Sequence, residues 1–287
     1  MRLISNSEVA SWLQCTRKYY YEYVLNLEPK QFSEVINKGI LIHSVLEGYY
    51  AGKAQGLNEA DCRNEAMEPL IFAGMQGADM KDITDIRALV DGYFDKYCVE
   101  DNDRYEVVSI ETKYALPLSD DYSLVGTLDL LLKDKWDNRL VAVDHKSTYN
   151  FWTDDQAGIS GQFVKYIAIL RGLGMDVKQL MINQLRTRPV KNGDLYKRAW
   201  VEPSNKRLEA VLKQHIDTAE KIVEFRENGA MHDATTPIYD KYICTNCPFL
   251  SLCNSDTEGL DLTFQIDQEY RQRTTYGYNA ETESVNV

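Results

Sequence analysis

The sequence predicts an α/β fold with one central mixed sheet flanked by helices. Three observations carry that expectation. The first hundred residues place apolar side chains at helical spacing, Tyr105 to Lys146 switches to runs of strand character, and the remainder returns to helix, hairpin and helix. Ser5-x-x-Glu8 is a capping-box pattern ahead of a short helix ending near Cys15, and the tyrosine-dense run from Thr16 to Val24 continues as helix. Ile36 to Tyr50 sets Ile36, Ile40, Leu41 and Val45 on one helical face, and two further amphipathic stretches follow, Glu59 to Ala73 and Ile83 to Tyr97.

Tyr105 to Tyr114, Ser123 to Lys133 and Leu140 to Lys146 read as strands, with the polar Asp134 to Arg139 as a connecting turn. Gln156 to Gly172 is helical by period. Gln179 to Arg188 and Leu195 to Val201 flank Lys191-Asn192-Gly193-Asp194, and Asn-Gly between two such runs predicts a hairpin. Asn205 to Asn228 reads as a long charged helix, and the polar chain from Thr257 on is expected to lack order in part. The expected organisation is one domain over residues 1–253: 1–100 mostly helical, 105–202 the sheet, 203–253 a helix and a cysteine trio. Residues 254–287 form an acidic polar tail.

Composition bounds the function. The chain has 287 residues, 44% hydrophobic and 26% charged, enough for a substantial core. No apolar run is long enough to span a bilayer, and the start, Met1 to Ser7, lacks the apolar stretch of a secretory signal. These features predict a cytoplasmic protein with no membrane partner. The formal net charge of -12 weighs against a nucleic-acid partner, but its distribution softens that. The segment Asn254 to Val287 is strongly acidic, whereas Lys178 to Arg207 gathers Lys178, Arg186, Arg188, Lys191, Lys197, Arg198, Lys206 and Arg207 against Asp194 and Glu202. A basic strip can hold a phosphate backbone on an acidic protein.

The sharpest local pattern runs from Gly126 to Lys146: Gly126-Thr127-Leu128-Asp129, a turn, then Val141-Ala142-Val143-Asp144-His145-Lys146. Alternation along a strand points Asp144 and Lys146 one way and His145 the other. If the two strands are neighbours, the Asp129 and Asp144 carboxylates meet and repel unless a cation lies between them, and hard cations such as Mg²⁺ or Mn²⁺ prefer oxygen ligands. A lysine beside such an ion can orient water and offset charge on a phosphorane-like transition state. Asp-x-Lys alone is common and is usually a solvated pair.

The motif's company is what makes it specific. Gly39-Ile40-Leu41-Ile42-His43, Gly126 to Asp129, Asp144 to Lys146 and Gln162-Phe163-Val164-Lys165-Tyr166 occur in that order. Together they resemble the PD-(D/E)XK nuclease superfamily, in its RecB-like branch. The resemblance implies a restriction-endonuclease-like core and a metal-dependent deoxyribonuclease with Asp129, Asp144 and Lys146 as catalytic residues. It implies Mn²⁺ or Mg²⁺ held by His43, Asp129, Asp144 and the His145 backbone carbonyl. Gln162 and Tyr166 would contact DNA or brace the site. Glu47, one turn on from His43, is an outer partner or a solvated carboxylate. Arg186, Arg188, Lys191, Lys197 and Arg198 would track phosphates or form a solvated hairpin face. Phe151 and Trp152 would stack bases or cap the core, and Arg17, Lys18 and the neighbouring tyrosines are further candidates for a strand path.

Six cysteines remain. Cys244, Cys247 and Cys253 can wrap one metal centre, and the fourth ligand it wants has Cys15 as candidate. One N-terminal cysteine with a C-terminal trio resembles the iron–sulfur subgroup of these nucleases, AddB-type subunits and the CRISPR-associated exonuclease among them, which implies a [4Fe–4S] cluster stapling the two chain ends. Thr16 stands where that subgroup often has proline. Zinc is the alternative for these thiols, and Cys62 and Cys98 read as small hydrophobes. The implied function is a DNA exonuclease acting on single strands or ends, in recombination or DNA processing. The chain carries no nucleotide-binding Gly-x-x-x-x-Gly-Lys loop and so no helicase motor of its own, and its acidic balance leaves room for a recombination or helicase partner protein. The alternatives are a CRISPR-type end-trimming nuclease and a non-catalytic iron–sulfur DNA-binding subunit.

Overall fold

A computed structural model describes residues 2–30, 34–188, 193–227 and 239–273. The chain divides into two compact units. One holds the described residues of Ser33–Leu116 and Gly126–Val211, the other those of Met1–Phe32, Pro117–Val125 and Leu212–Asn286.

The first of these carries most of the sheet. Its helices α3 (Glu34–Ala54), α4 (Glu59–Met75) and α5 (Met80–Arg104) precede strands β3 (Tyr105–Pro117), β4 (Tyr122–Asp134, from Gly126 in this unit) and β5 (Leu140–Thr148). Helices α6 (Asp154–Ile159) and α7 (Gly161–Gly172) lead to β6 (Val177–Arg186) and β7 (Tyr196–Val201). Strand β5 lies between β4, antiparallel, and β6, parallel; β7 pairs antiparallel with β6, and β3 pairs with β4. Val141, Ala142 and Val143 are all buried, so both faces of β5 are covered, as expected of a central strand. Its core runs from Ile42, Leu46 and Tyr49 on α3 through Val90 and Phe94 on α5 to Leu130, Val143, Met181 and Leu185 on the sheet. Tyr49 stacks on Phe94 at 4.3 Å between ring centres.

The expected helix Gln156 to Gly172 is two. Thr153 and Gln156 form a capping box that starts α6, and Ser160 is extended (φ −64°, ψ 115°) between α6 and α7. Gly158 and Gly161 flank that break, and glycine's low helix propensity makes it inexpensive there. The hairpin turn expected at Lys191-Asn192 lies outside the described residues, but the strands on either side of it pair, with Leu185 opposite Tyr196.

The other unit begins with β1 (Arg2–Ser5), which pairs parallel with the first residues of β4. Ser5 caps α1 (Asn6–Gln14) through the Glu8 N–H, as the capping pattern predicts. The Glu8 carboxylate does not reach back to close the box. It takes the Arg2 guanidinium and the Tyr19 hydroxyl instead. Helix α2 (Thr16–Tyr19) runs into a π-helical turn (Tyr20–Val24). Most of α8 (Asn205–Glu227), then α9 (Lys241–Cys244), α10 (Leu250–Thr257) and α11 (Thr263–Glu269) complete the helices.

Part of the chain beyond Thr257, expected to lack order, is built in. Strand β8 (Tyr270–Gln272) pairs antiparallel with β2 (Leu27–Pro29), and Tyr270 is buried on Phe249 with ring centres 5.5 Å apart. Sequence polarity hid this because a few scattered apolar residues, Leu262, Ile266 and Tyr270, anchor the segment. Tyr19 and Tyr21 are fully buried and Arg17 pairs with Asp256, so these three side chains are taken up within this unit. Among the described residues no helix is long and apolar enough to cross a membrane.

Candidate active site

Register brings the carboxylates together. Leu130 on β4 faces Val143 on β5, and one step on, the same antiparallel register sets Asp129 opposite Asp144. Opposed residues of an antiparallel pair share a face. The His145 backbone N–H donates to Asp129 Oδ2 at 2.7 Å, which holds that carboxylate. Lys146 Nζ stands 2.8 Å from Asp144 Oδ2 and 5.6 Å from the Phe163 ring centre. Asp144 is almost fully buried, and Oδ2 has no well-aligned hydrogen-bond donor among the described residues, so the ammonium meets it as an ion pair.

His43 comes from α3, its Nδ1 3.5 Å from Asp129 Oδ2. Gly39, one turn earlier, lets the helix approach: a Cβ there would come 3.1 Å from Ser147 Oγ, one residue past Lys146. Gly126 plays the matching part on β4, where a Cβ would meet Tyr166 Cε1 at 2.8 Å. Tyr166 in turn accepts a hydrogen bond from Gln162 Nε2 at 3.2 Å on α7. The glycines of two motifs thus each make room for a residue of, or beside, another.

Sequence reasoning missed Glu111. Ligand atoms of His43, Glu111 and Asp129 lie within 4.8 Å of one another, the one such group of His, Cys, Asp and Glu among the described residues. Asp144 stands beside this trio, committed to Lys146. Glu111 sits in β3 with φ +41°, in the left-handed region that costs a non-glycine residue about 1–3 kcal/mol, and such strain collects at functional sites. No local sequence signal marks it. It arrives because β3 pairs with the strand that carries Asp129.

The electrostatics ask for a cation. Burial raises the Asp129 carboxyl above its usual range, against the pull of the His145 N–H and Lys146. Burial also raises Asp144, with Asp129 adding to the shift and Lys146 opposing it. Desolvation and then Asp129, Glu47 and Asp144 push Glu111 up to about 7. Burial lowers His43, so its imidazole is neutral and available as a ligand. Three crowded carboxylates and a neutral imidazole fit a hard or borderline divalent cation.

The sequence profile of the PD-(D/E)XK nuclease superfamily matches residues 3–254. The chain belongs to the PD-(D/E)XK nuclease superfamily. Members of this superfamily are metal-dependent nucleases that use divalent ions such as Mg²⁺ or Mn²⁺, and the acidic cluster on β3, β4 and α3 suits that chemistry. No curated protein sequence matches the chain. Among solved structures, the one titled SSO0001 is 11% identical and covers 85% of this chain and 96% of its own, with a TM-score of 0.33. An alkaline exonuclease, LHK-Exo from Laribacter hongkongensis, is 13% identical and covers 66% of this chain and 92% of its own, with a TM-score of 0.31. At such scores neither likeness adds to the superfamily assignment.

His145 is the motif residue that faces away. Its ring is buried, with Tyr50 stacked on it at 5.7 Å and Asn183 Nδ2 3.3 Å from Nδ1. Asn183 accepts from Arg198 Nε at 2.9 Å, and Arg198 holds Asp101 through both terminal nitrogens. Arg198, a candidate for phosphate contact on the sequence, is therefore turned inward and paired. Lys197 reaches the Trp152 carbonyl and Asp154. Arg186 and Arg188 lie over the Phe151 and Tyr149 rings, while Lys191 is outside the described residues.

The four cysteines singled out by spacing fall in the other unit. All are half-buried and none is in a disulfide. Cys15 Sγ caps α2 by accepting from the Lys18 N–H, and Cys244 Sγ accepts from the Asp240 N–H. Burial raises the Cys247 thiol, with Cys15 and Cys244 adding to the shift, and burial raises Cys253, with Cys15 and Cys247 adding. The positive charges of Lys18 and Arg17 oppose these shifts at Cys247 and Cys253 respectively. Cys62 and Cys98 are buried in the sheet unit's core, as small hydrophobes.

Proposed function

We propose that this nuclease is a deoxyribonuclease, an exonuclease hydrolysing phosphodiester bonds of single-stranded DNA or DNA ends in recombination or DNA processing. The observation that carries the reading is the Asp144–Lys146 pair on β5 beside His43, Glu111 and Asp129. His43, Asp129, Glu111 and Asp144 would hold the divalent ion, which when bound polarises the phosphoryl group and makes water more acidic. Asp129, fixed by the His145 N–H, keeps its free lone pairs aimed at the cluster. Lys146, held by Asp144 on one side and lying over the Phe163 ring on the other, has donors left to orient the attacking water. Its charge offsets the negative charge that builds on phosphorus as the water oxygen bonds and the bridging P–O bond breaks. Tyr166 and Gln162 brace β4 through the close fit at Gly126.

We further infer a [4Fe–4S] cluster on Cys15, Cys244, Cys247 and Cys253. Its support is four half-buried, unbridged thiols that fall in one unit, with Cys15 and Cys247 both acting on the raised Cys253 thiol.

The test is anaerobically purified protein with end-labelled single-stranded DNA and Mn²⁺ or Mg²⁺, beside Lys146→Ala. Stepwise cleavage, lost on chelation and in the variant, is the expected result, and the product ladder gives its direction. A folded, iron-loaded wild type that leaves the strand intact would remove the reading. Cleavage of RNA but not DNA would correct the substrate.

A further inference from the structure

Three residues past Lys146 the chain leaves β5 and enters the loop from Tyr149 to Thr153 ahead of α6. Two rings of this loop each carry an arginine, one the last residue of β6 and the other two residues beyond it. The Arg188 guanidinium lies 4.7 Å from the Tyr149 ring centre, and that of Arg186 lies 4.0 Å from the Phe151 ring centre. Tyr149 is nonetheless 64% exposed. Among the described residues neither arginine Nε–H finds a hydrogen-bond acceptor. Within the described residues both guanidinium groups rest on rings.

The loop that presents the rings is tied down at several points. The Thr187 N–H donates to the Thr148 carbonyl at 2.9 Å. The Trp152 N–H donates to Gln184 Oε1 at 2.7 Å, and Lys197 Nζ donates to the Trp152 carbonyl at 3.2 Å. The Trp152 ring packs on Phe163 at 5.5 Å. An exposed aromatic on a loop anchored this way loses little entropy when something flat lies on it.

We propose that Tyr149 and Phe151, each backed by its arginine, form a stacking platform for the unpaired bases of a DNA single strand whose backbone continues to Lys146. Aromatic faces stack on any base, so such a platform is tolerant of sequence. The guanidinium on one face of each ring places positive charge where the strand's phosphates pass. A duplex keeps its bases stacked on one another and offers no face, so the platform selects single strands. Three to five extended residues separate the rings from Lys146, a reach of roughly 10–17 Å, so the stacked bases belong to nucleotides close to the scissile phosphate. The proposal rests on the nuclease reading only for the place of cleavage, and binding can be read without it.

The experiment measures binding by fluorescence anisotropy in an Asp144→Asn background, which keeps the strand intact. The probes are a labelled oligothymidine, an abasic strand of the same length and the corresponding duplex. Tyr149→Ala is expected to weaken oligothymidine binding about tenfold and to leave the abasic strand unaffected. Phe151→Ala is expected to act in the same direction, and Tyr149→Phe to bind like the parent. Equal loss on the abasic strand would overturn the proposal, because the ring would then act through the arginines or the fold. So would unchanged oligothymidine affinity in Tyr149→Ala, or a duplex bound as tightly as the single strand. If the wild type cleaves nothing while this binding pattern holds, the nuclease reading fails and the platform stands.

Discussion

In the sheet unit, Asp129, Asp144 and Lys146 stand on strands backed by a core that runs from Ile42 to Leu185. In the cysteine unit, Cys244 and Cys253 stand on helices of four and eight residues, over a core cluster of Tyr21, Leu27, Phe249, Leu252 and Tyr270. The difference bears on what a ligand at each place would do. A rigid sheet holds repelling carboxylates close before any ion arrives, so the ion serves chemistry. Short helices on a small core would gain rigidity from a metal centre on their thiols, so the proposed cluster would serve folding.

The sharpest way to break this contrast is to remove one residue from each side. Lys146→Ala should lower the cleavage rate by roughly 10³-fold with little change in the thermal midpoint. Cys15→Ser should do the reverse in kind, losing visible absorption and bound iron and lowering the thermal midpoint. Rate assays with melting curves on both variants measure this. A Lys146→Ala protein that unfolds, or a Cys15→Ser protein that melts like the wild type, would erase the distinction.

The next effect tests the sheet unit's own framework. Arg198 and Asp101 form a buried ion pair behind His145. Arg198→Leu leaves Asp101 buried without its partner and should cost about 3–5 kcal/mol in urea unfolding. A loss below about 1 kcal/mol would mean that the pair is solvated in solution.

A smaller effect is expected at Gly126. A Cβ there would meet the Tyr166 ring at 2.8 Å, so Gly126→Ala should destabilise by about 1–3 kcal/mol. Adding Tyr166→Ala should recover part of the loss, and a double-mutant cycle reads that coupling. Additive losses would show that the close approach is not what requires glycine.

The smallest change is one of slope. Burial lowers the Lys165 ammonium to about 7, against about 10.4 in an unfolded chain. Between those values the unfolded chain holds a proton that the folded chain has released, so stability should rise with pH across that window. Lys165→Met should flatten the rise, as measured by urea midpoints at stepped pH. An unaltered slope would assign it to other groups.

Strand alternation set Asp144 and Lys146 on one face from the sequence, because alternation is local; that Asp129 joins them depended on β4 and β5 being neighbours, which their pairing supplies. The motif order brought in His43, Gln162 and Tyr166, and the structure adds why Gly39 and Gly126 accompany them: each removes a Cβ that would strike a neighbour. The helix break at Ser160 was not legible, because a helical period over Gln156 to Gly172 continues across a single extended residue. Strand β8 was not legible either, since the polar residues around Tyr270 conceal one buried ring.

By itself, then, the sequence determined the alternation that aligns Asp144 with Lys146, the helical face that carries His43 and the cysteine spacing. Each depends on residues a few positions apart, where backbone geometry alone sets direction. Only the tertiary structure decided that Glu111 joins His43 and Asp129, that Arg198 turns inward to Asp101, and that Arg186 and Arg188 rest on Phe151 and Tyr149. Those choices join residues far apart in the chain. Burial and charge select the partner in each case, and no local pattern encodes which distant group will be there.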